Sequence, residues 1–535
     1  MKYKTNNIVI RATLLFVVFF MTLSGCEDFL KEVPTGELTA EADLTAGEYG
    51  QPLAIGAYRM LKEWTGGARD WGNILPNTLE FPTGGAYTGE PHARFDKYQT
   101  NQVTGNLLDN FNNQWSNWYS GVQDANLALD LLPDVDLPEV TLNQYLGEVR
   151  ALRAFYYFCI VRYWGDAVMI TEPLADVGLA EMPRTSLKTI YDEVIIPDLE
   201  FALGSVPGGK SPDGRVTQDV VRAILADVYL TVSGYPYQEV ETNPTKDWCG
   251  EGSWTMQEYP VNSSSATAFL EKSKALLDAL YDQYELGTYD DLHDPAMNNQ
   301  GEAIFQIQYS SEDGFTNGIL QPSLPLLTKI SKSDENGSFT PAEHYWESYA
   351  ANDIRAQERQ MFFTWDTNID DVTDTVRFWP PHLYKYYDPA AVKSTEGSGL
   401  NWSHYRYADI LLMRTEVYWA LNQTAADKGI NEVRARAGLA DLSGVTLKDI
   451  LSERAWELVF ENKMLWDQRR TRRAIVYGDK EISAIQNFVG HQPQIFNFAF
   501  TPQHLLSPIP GNEIANNGKM TQNFGYLPVQ TSSGE

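Results

Sequence analysis

Three cysteines in 535 residues are too few for a disulfide framework or a cysteine-ligated metal. Cys159 lies in the apolar run FYYFCIV and reads as a small core residue, while Cys249 sits in a Trp-Cys-Gly loop. Positive charge is scarce as well. Lys and Arg number 41 against 71 Asp and Glu, a formal net charge of −30 that repels phosphate backbones and argues against nucleic acid as a partner. The seven histidines form no H-E-x-x-H pair, so a zinc hydrolase has no support, and no G-x-S-x-G elbow presents a nucleophilic serine. The apolar run Ala12 to Leu23 spans only about twelve residues, short of the ~20 needed to cross a bilayer. From Leu44 to the C-terminus no Pro/Ser-rich linker divides the chain, which therefore reads as a single compact domain with long insertions.

What is present begins with a leader. Lys2, Lys4 and Arg11 precede the apolar run, and Leu23-Ser24-Gly25-Cys26 then resembles a bacterial lipobox, in which small residues precede a cysteine that becomes lipidated. The expected organisation is a lipoprotein signal peptide over residues 1–25, a lipid tether and N-terminal segment over 26–45, and one domain over 46–535. Lipidation of Cys26 makes anchoring essentially permanent, because each buried methylene contributes ~0.8 kcal/mol. The bland alternative is ordinary secretion with Cys26 as a spare thiol. Without its three basic leader residues the mature chain carries a net charge of −33.

Apolar spacing predicts helices at Leu53 to Trp64, Leu107 to Leu132, Glu139 to Trp164, Leu187 to Leu203, Thr217 to Ser233 and Ala266 to Tyr284. Pro133 and Pro138 end the second, and Gly165 stops the third. The C-terminal block from His404 to Arg473 predicts three more. The first is HYRYADILLMRTEVYWALNQ; the second places Ala426, Ile430, Val433 and Ala437 on one face before Gly438. The third starts at Thr446, capped with help from Asp449, and runs unbroken from Leu447 to Arg473. Short connections favour antiparallel hairpins. The pairs Arg153-Ala154 and Arg222-Ala223 recur 69 residues apart, about twice the ~34-residue tetratricopeptide period. Between the helices, Gly66 to Gly105, Tyr235 to Ser265 and Asp290 to Asn401 read as loops with short strands such as Ala303 to Tyr309.

The runs RYADILLMRTEVYWAL, INEVRARAGL and ILSERAWELVFENKMLWDQRR, with the tail LLSPIPGNEIANNGKMTQNFGY, resemble the C-terminal signature of the SusD-like (RagB/SusD) outer-membrane nutrient-binding lipoproteins. LGEVRALRAFYYFCIVRYWGD is similar to that family too, as is the start CEDFLKEVPTGELT, where Glu27 and Asp28 look like its surface-export signal. The resemblance implies a mainly α fold of tetratricopeptide-like helical hairpins with loop-rich insertions and a few short strands. It also implies a protein held at the extracellular face of the outer membrane, capturing oligosaccharides for a SusC-like TonB-dependent barrel transporter.

Several motifs fail on physical grounds. Gly204 to Ser211 matches a phosphate loop, but a helix precedes it where a strand is needed and Pro212-Asp213-Gly214 follows. Asp366, Asn368 and Asp370 copy the first ligands of an EF-hand, yet Asp371 and Arg377 occupy the positions that need Gly and a bidentate Glu. No cofactor is expected; a structural calcium ion has no motif behind it. Glu453, Glu457 and Glu461 are spaced four apart, with Arg434 and Arg436 on the preceding helix as partners, so buried ion pairs are the expectation over a glycosidase's acid and base.

The remaining signal is aromatic. Of fourteen Trp, seven (Trp64, Trp115, Trp118, Trp164, Trp419, Trp456, Trp466) fall on expected helices and read as core. The other seven (Trp71, Trp248, Trp254, Trp346, Trp365, Trp379, Trp402) sit in or beside insertions. A sugar's apolar C–H face and hydroxyl rim suit an aromatic plate edged by amides and carboxylates. Expected ligand-binding residues are Trp71, Asn73, Glu80, Tyr87, Trp254, Tyr309, Trp346 and Trp365. Two alternatives stay open: a peptide-binding relative of the same fold, and a glycoside hydrolase.

Overall fold

The computed structural model describes residues 47–64, 76–88, 106–174, 181–242, 258–332, 335, 337–394 and 397–527. Helices dominate and stack in chain order. Asn106–Leu131 (α1) and Glu139–Trp164 (α2) run antiparallel. Trp115 meets Trp164 at 4.9 Å, Trp118 stacks on Tyr156 at 6.0 Å, and Asn126 accepts a hydrogen bond from Arg153 at 2.9 Å. Gly165, at φ 71°, ends α2 in a conformation that would strain a side chain. From α2 the stack continues through Ile196–Ser205 (α3), Gln218–Val232 (α4) and Ser264–Leu280 (α5). After an insertion carrying the short helix Glu343–Glu347 (α6), Tyr407–Ala420 (α7) packs on α5, and Asp427–Arg436 (α8) and Leu447–Glu457 (α9) close on α7. Each helix buries one side on its predecessor and another on its successor, the economy of a solenoid.

Strands are few and pair only two at a time among the described residues. Ala86–Tyr87 (β1) pairs with Thr340–Pro341 (β3), Ala303–Ile307 (β2) with Trp402–Arg406 (β6), Phe362–Thr367 (β4) with Thr375–Leu383 (β5), and Arg473–Gly478 (β7) with Glu481–Asn487 (β8), all antiparallel.

Several helix boundaries differ from expectation. Leu53 to Trp64 is two pieces, an α-helix Gly50–Gly56 and a 3-10 helix Arg59–Trp64, and the helix expected over Ala266 to Tyr284 runs Ser264–Leu280. Leu187 to Leu203 is interrupted by a π turn, Tyr191–Ile195, because Pro197 has no amide to donate to Glu193 and its ring crowds that carbonyl. His404 to Arg406 is strand, since it pairs with β2, and the helix starts only at Tyr407. The capping box of Thr446 and Asp449 is present, but the helix it opens ends at Glu457. Phe460 and Asn462 turn left-handed, at φ 56° and 63°, before Met464–Thr471 (α10) resumes.

Ionic partners impose that break. Arg406, buried, donates to Glu461 at 2.7 Å, to Glu457 at 2.7 Å and to Glu302 at 3.2 Å; Lys385 also meets Glu461, and Lys463 meets Asp409 at 3.0 Å. An unbroken helix would carry Glu461 and Lys463 away from these groups. The expected pairs are present too, Arg434 with Glu453 at 3.1 Å and Arg436 with Glu457, and Arg355 adds a fork to Asp353 together with bonds to Glu453 and Glu457. Burial pushes the Glu457 carboxyl up, but Arg436, Arg406 and Arg355 outweigh it and hold it down to about 2. The carboxylates are thus closed into a structural cluster that ties Arg355, Lys385 and Arg406 of the insertion to the C-terminal helices.

Candidate functional site

The insertion carries an exposed aromatic surface on β5. Along this strand Val376 and Phe378 pack on a small core of Leu320, Leu324, Ile330, Phe363, Tyr387, Ala391 and Val392, so the alternate residues Thr375, Arg377 and Trp379 face outward. Trp379 is 57% exposed. Its indole is nevertheless fixed: Nε1–H donates to Glu343 Oε1 at 3.0 Å, and the ring meets Trp346 edge-on, centroids 5.1 Å apart at 88°. Glu343 and Trp346 are three apart on α6 and so share a face.

The scaffold holds α6 firmly. Tyr345 hydroxyl donates to Ala455 carbonyl, Tyr349 hydroxyl to Trp456 carbonyl at 2.9 Å, and Trp456 Nε1–H to Ser348 Oγ at 3.0 Å. His344 bonds Gly84 carbonyl at 3.2 Å, and burial lowers its imidazole to about 4, so it is neutral at physiological pH. Beside α6, β3 packs against β5 and pairs with β1, where Tyr87 is 40% exposed. Trp365 lies opposite Arg377, two residues along the strand from Trp379, and Arg359 covers one of its faces at 4.6 Å. The result is an aromatic plate, Trp379 on Trp346, with a carboxylate fixed at its rim and Tyr87 and Trp365 on neighbouring strands. Such a surface offers a ring face and a hydrogen-bond acceptor side by side.

Among the residues expected to bind ligand, Trp346 and Trp365 therefore belong to this end of the insertion, and Tyr87 lies on β1, joined to it through β3. Glu80 and Tyr309 do not. Glu80 is buried and accepts the Asn462 amide at 2.6 Å; burial raises its carboxyl to about 8 despite that bond and nearby Lys385. Tyr309 is buried, its hydroxyl donating to Lys62 carbonyl at 3.2 Å and its amide to Asn401 Oδ1 at 2.8 Å. Cys26, Trp71, Asn73 and Trp254 lie outside the described residues, as does Cys249. Cys159 is a core residue whose thiol burial raises to about 11. Asp366, from the EF-hand-like run, is buried and bonded by Arg359 and Tyr387. The phosphate-loop match lies in the turn before α4, with Lys210 over Tyr284 at 4.5 Å. Sequence reasoning missed Glu343, although the i, i+3 spacing in EHYWE carried the signal, and it left Trp379 unranked among the insertion tryptophans.

Comparison with known proteins places the chain. The model of the SusD family matches residues 336–526, and one described as "Starch-binding associating with outer membrane" matches residues 59–230. A SusD superfamily protein from Parabacteroides distasonis is 30% identical, with a TM-score of 0.80 over 92% of this chain and 100% of its own. Surface glycan-binding protein A from Bacteroides thetaiotaomicron, solved in complex with laminarihexaose, is 21% identical with a TM-score of 0.66, over 90% of this chain and 100% of its own. A SusD-like protein of Formosa agariphila is 25% identical over 98% of this chain and its full length. From its helical stack, its C-terminal signature and these likenesses, the chain belongs to the SusD-like family.

Proposed function

We propose that this protein is a surface lipoprotein that captures oligosaccharides on the Trp346–Trp379 plate and passes them to a TonB-dependent outer-membrane transporter without chemical reaction. Trp379 carries the reading: a side chain of this size left more than half exposed, yet held by Glu343 and braced by Trp346. A pyranose can lay its C–H face on the indole and direct a rim hydroxyl to the Glu343 carboxylate. Because the plate is fixed before ligand arrives, little ordering entropy opposes binding.

Supporting a glycan over a peptide are the starch-binding description of the matched family model and the laminarihexaose held by a protein of the same fold. The lipobox at Cys26 supports the anchor; among the described residues no helix is long and apolar enough to cross a membrane. Calorimetric titration against panels of oligosaccharides and oligopeptides tests the site. Trp379→Ala is expected to weaken the best glycan at least ~10-fold, about 1.4 kcal/mol, with circular dichroism unchanged. Undiminished affinity in that variant moves the site elsewhere, and peptide binding without glycan binding overturns the ligand class. Co-purification of a TonB-dependent barrel from native outer membranes tests the hand-off.

A further inference from the structure

A second cleft, of about 580 Å³, opens between α1, the chain following α2, and Gly511–Asn516 (α11). That volume lies within the range of small-molecule sites. No residue lining it belongs to the Trp346–Trp379 plate. One wall is aromatic: the half-buried ring of Tyr119 faces it, backed by the buried Trp115 one helical turn away, with ring centroids 4.8 Å apart. The floor is apolar, formed by Val168, Ile170 and Leu174. The rim is polar and mixes donors with acceptors. Gln123 Oε1 accepts the Leu174 amide at 3.3 Å, while its buried Nε2 has no acceptor among the described residues. Asn516 supplies an exposed amide, and Glu513, bonded to the Trp115 indole, supplies a half-buried carboxylate.

We infer that this cleft is a second saccharide site, independent of the plate, that takes a neutral sugar unit. An aromatic wall answers a sugar's C–H face, and amides with carboxylates answer its hydroxyls, each of which both donates and accepts. The preference for a neutral ligand follows from charge. Among the described lining residues the one cationic group, Arg59, is engaged by Asp124 in a two-pronged bond at 3.0 and 3.2 Å. Arg184, beyond Tyr119, donates to the carbonyls of Asp166, Trp164 and Thr521 and to Asn523, which leaves Glu513 as the unbalanced charge of the lining. A uronate or sulfated sugar would meet that carboxylate with no free cation among the described lining residues to offset it. Among the described residues none of the strands β1 to β8 lines the cleft, so a peptide backbone finds no strand edge there to pair with. The inference takes from the capture reading only the class of ligand.

The test is calorimetric titration of the full chain with neutral oligosaccharides of glucose, mannose, galactose and xylose, their uronate and sulfated counterparts, and an oligopeptide mixture. The plate is removed by Trp379→Ala, and the cleft is filled from an exposed position of α1 by Ser116→Trp. The Trp379→Ala protein is expected to retain binding of a neutral oligosaccharide, and Ser116→Trp added to it is expected to reduce that residual affinity at least tenfold. Ser116→Trp alone is expected to lower the stoichiometry from two to one. Asn516→Ala, which only trims a surface amide, is expected to weaken the residual binding severalfold and keeps the test decisive should Ser116→Trp fail to fold. Loss of all sugar binding in Trp379→Ala overturns this inference and leaves the capture reading standing. Residual binding that the cleft variants do not change overturns it as well, as does a preference for charged sugars or peptide there. Absence of sugar binding by the unaltered protein overturns both readings.

Discussion

Glu80 shows how far burial alone can move a carboxyl group. In the folded protein burial holds its proton to about pH 8, against the pull of the Asn462 amide and Lys385, whereas an unfolded chain releases it near 4.5. Between those values the folded state binds a proton that the unfolded state does not, so stability falls as pH rises through this window and levels off above it. Glu80→Gln keeps the shape and the acceptor for Asn462 but cannot ionise. Urea-denaturation midpoints are therefore expected to fall more steeply from pH 5 to 8 in the native sequence than in Glu80→Gln, by at most about 1.4 kcal/mol per pH unit; parallel curves would acquit Glu80. The residue scale is also where sequence reading reached least. Trp379 and Trp402 look alike in the chain, both aromatic in a polar insertion, yet Trp402 is buried and stacked on Tyr386 at 5.3 Å while Trp379 stands out. The difference is made by the pairing of β6 with β2, across about a hundred residues that no local pattern reports.

Among the elements, legibility follows the range of the forces that set each boundary. The bounds of α2, Glu139–Trp164, and the cap of α9 were readable because Pro138, Gly165, Thr446 and Asp449 act within a turn of where they stand. The break after α9 was not, because Arg406, Lys385 and Asp409 impose it from more than 40 residues away. Close approach between helices is another distant effect. A Cβ on Gly429 of α8 would lie 2.4 Å from Leu411 carbonyl and 3.0 Å from Thr415 Oγ1 on α7. In a free helix Gly→Ala stabilises by ~1 kcal/mol; here overpacking of about 1–3 kcal/mol opposes it. Gly429→Ala is expected to lower the urea midpoint, and a raised midpoint would show that α8 can retreat from α7.

At the scale of the whole molecule, the proposed anchor at Cys26 and the proposed binding surface are expected to be separable. Cys26→Ala is expected to abolish metabolic labelling by an alkyne fatty acid and to move the protein out of the membrane fraction, while leaving glycan affinity within twofold; persistent labelling would place the acyl chain elsewhere. Fold class was legible at this scale, since helical spacing and the signature runs are spread along the chain. The position of the plate was not, because it exists only where β5 meets α6. The buried cluster of Arg355, Lys385 and Arg406 with Glu453, Glu457 and Glu461 has a practical corollary. It rivets the insertion at its root, while Trp379, braced by Glu343 and Trp346, stands exposed on β5 away from that cluster. On the proposed capture function, exchanging β5 and α6 between relatives is expected to change which sugar is bound, with the riveted root as the natural seam for recombination.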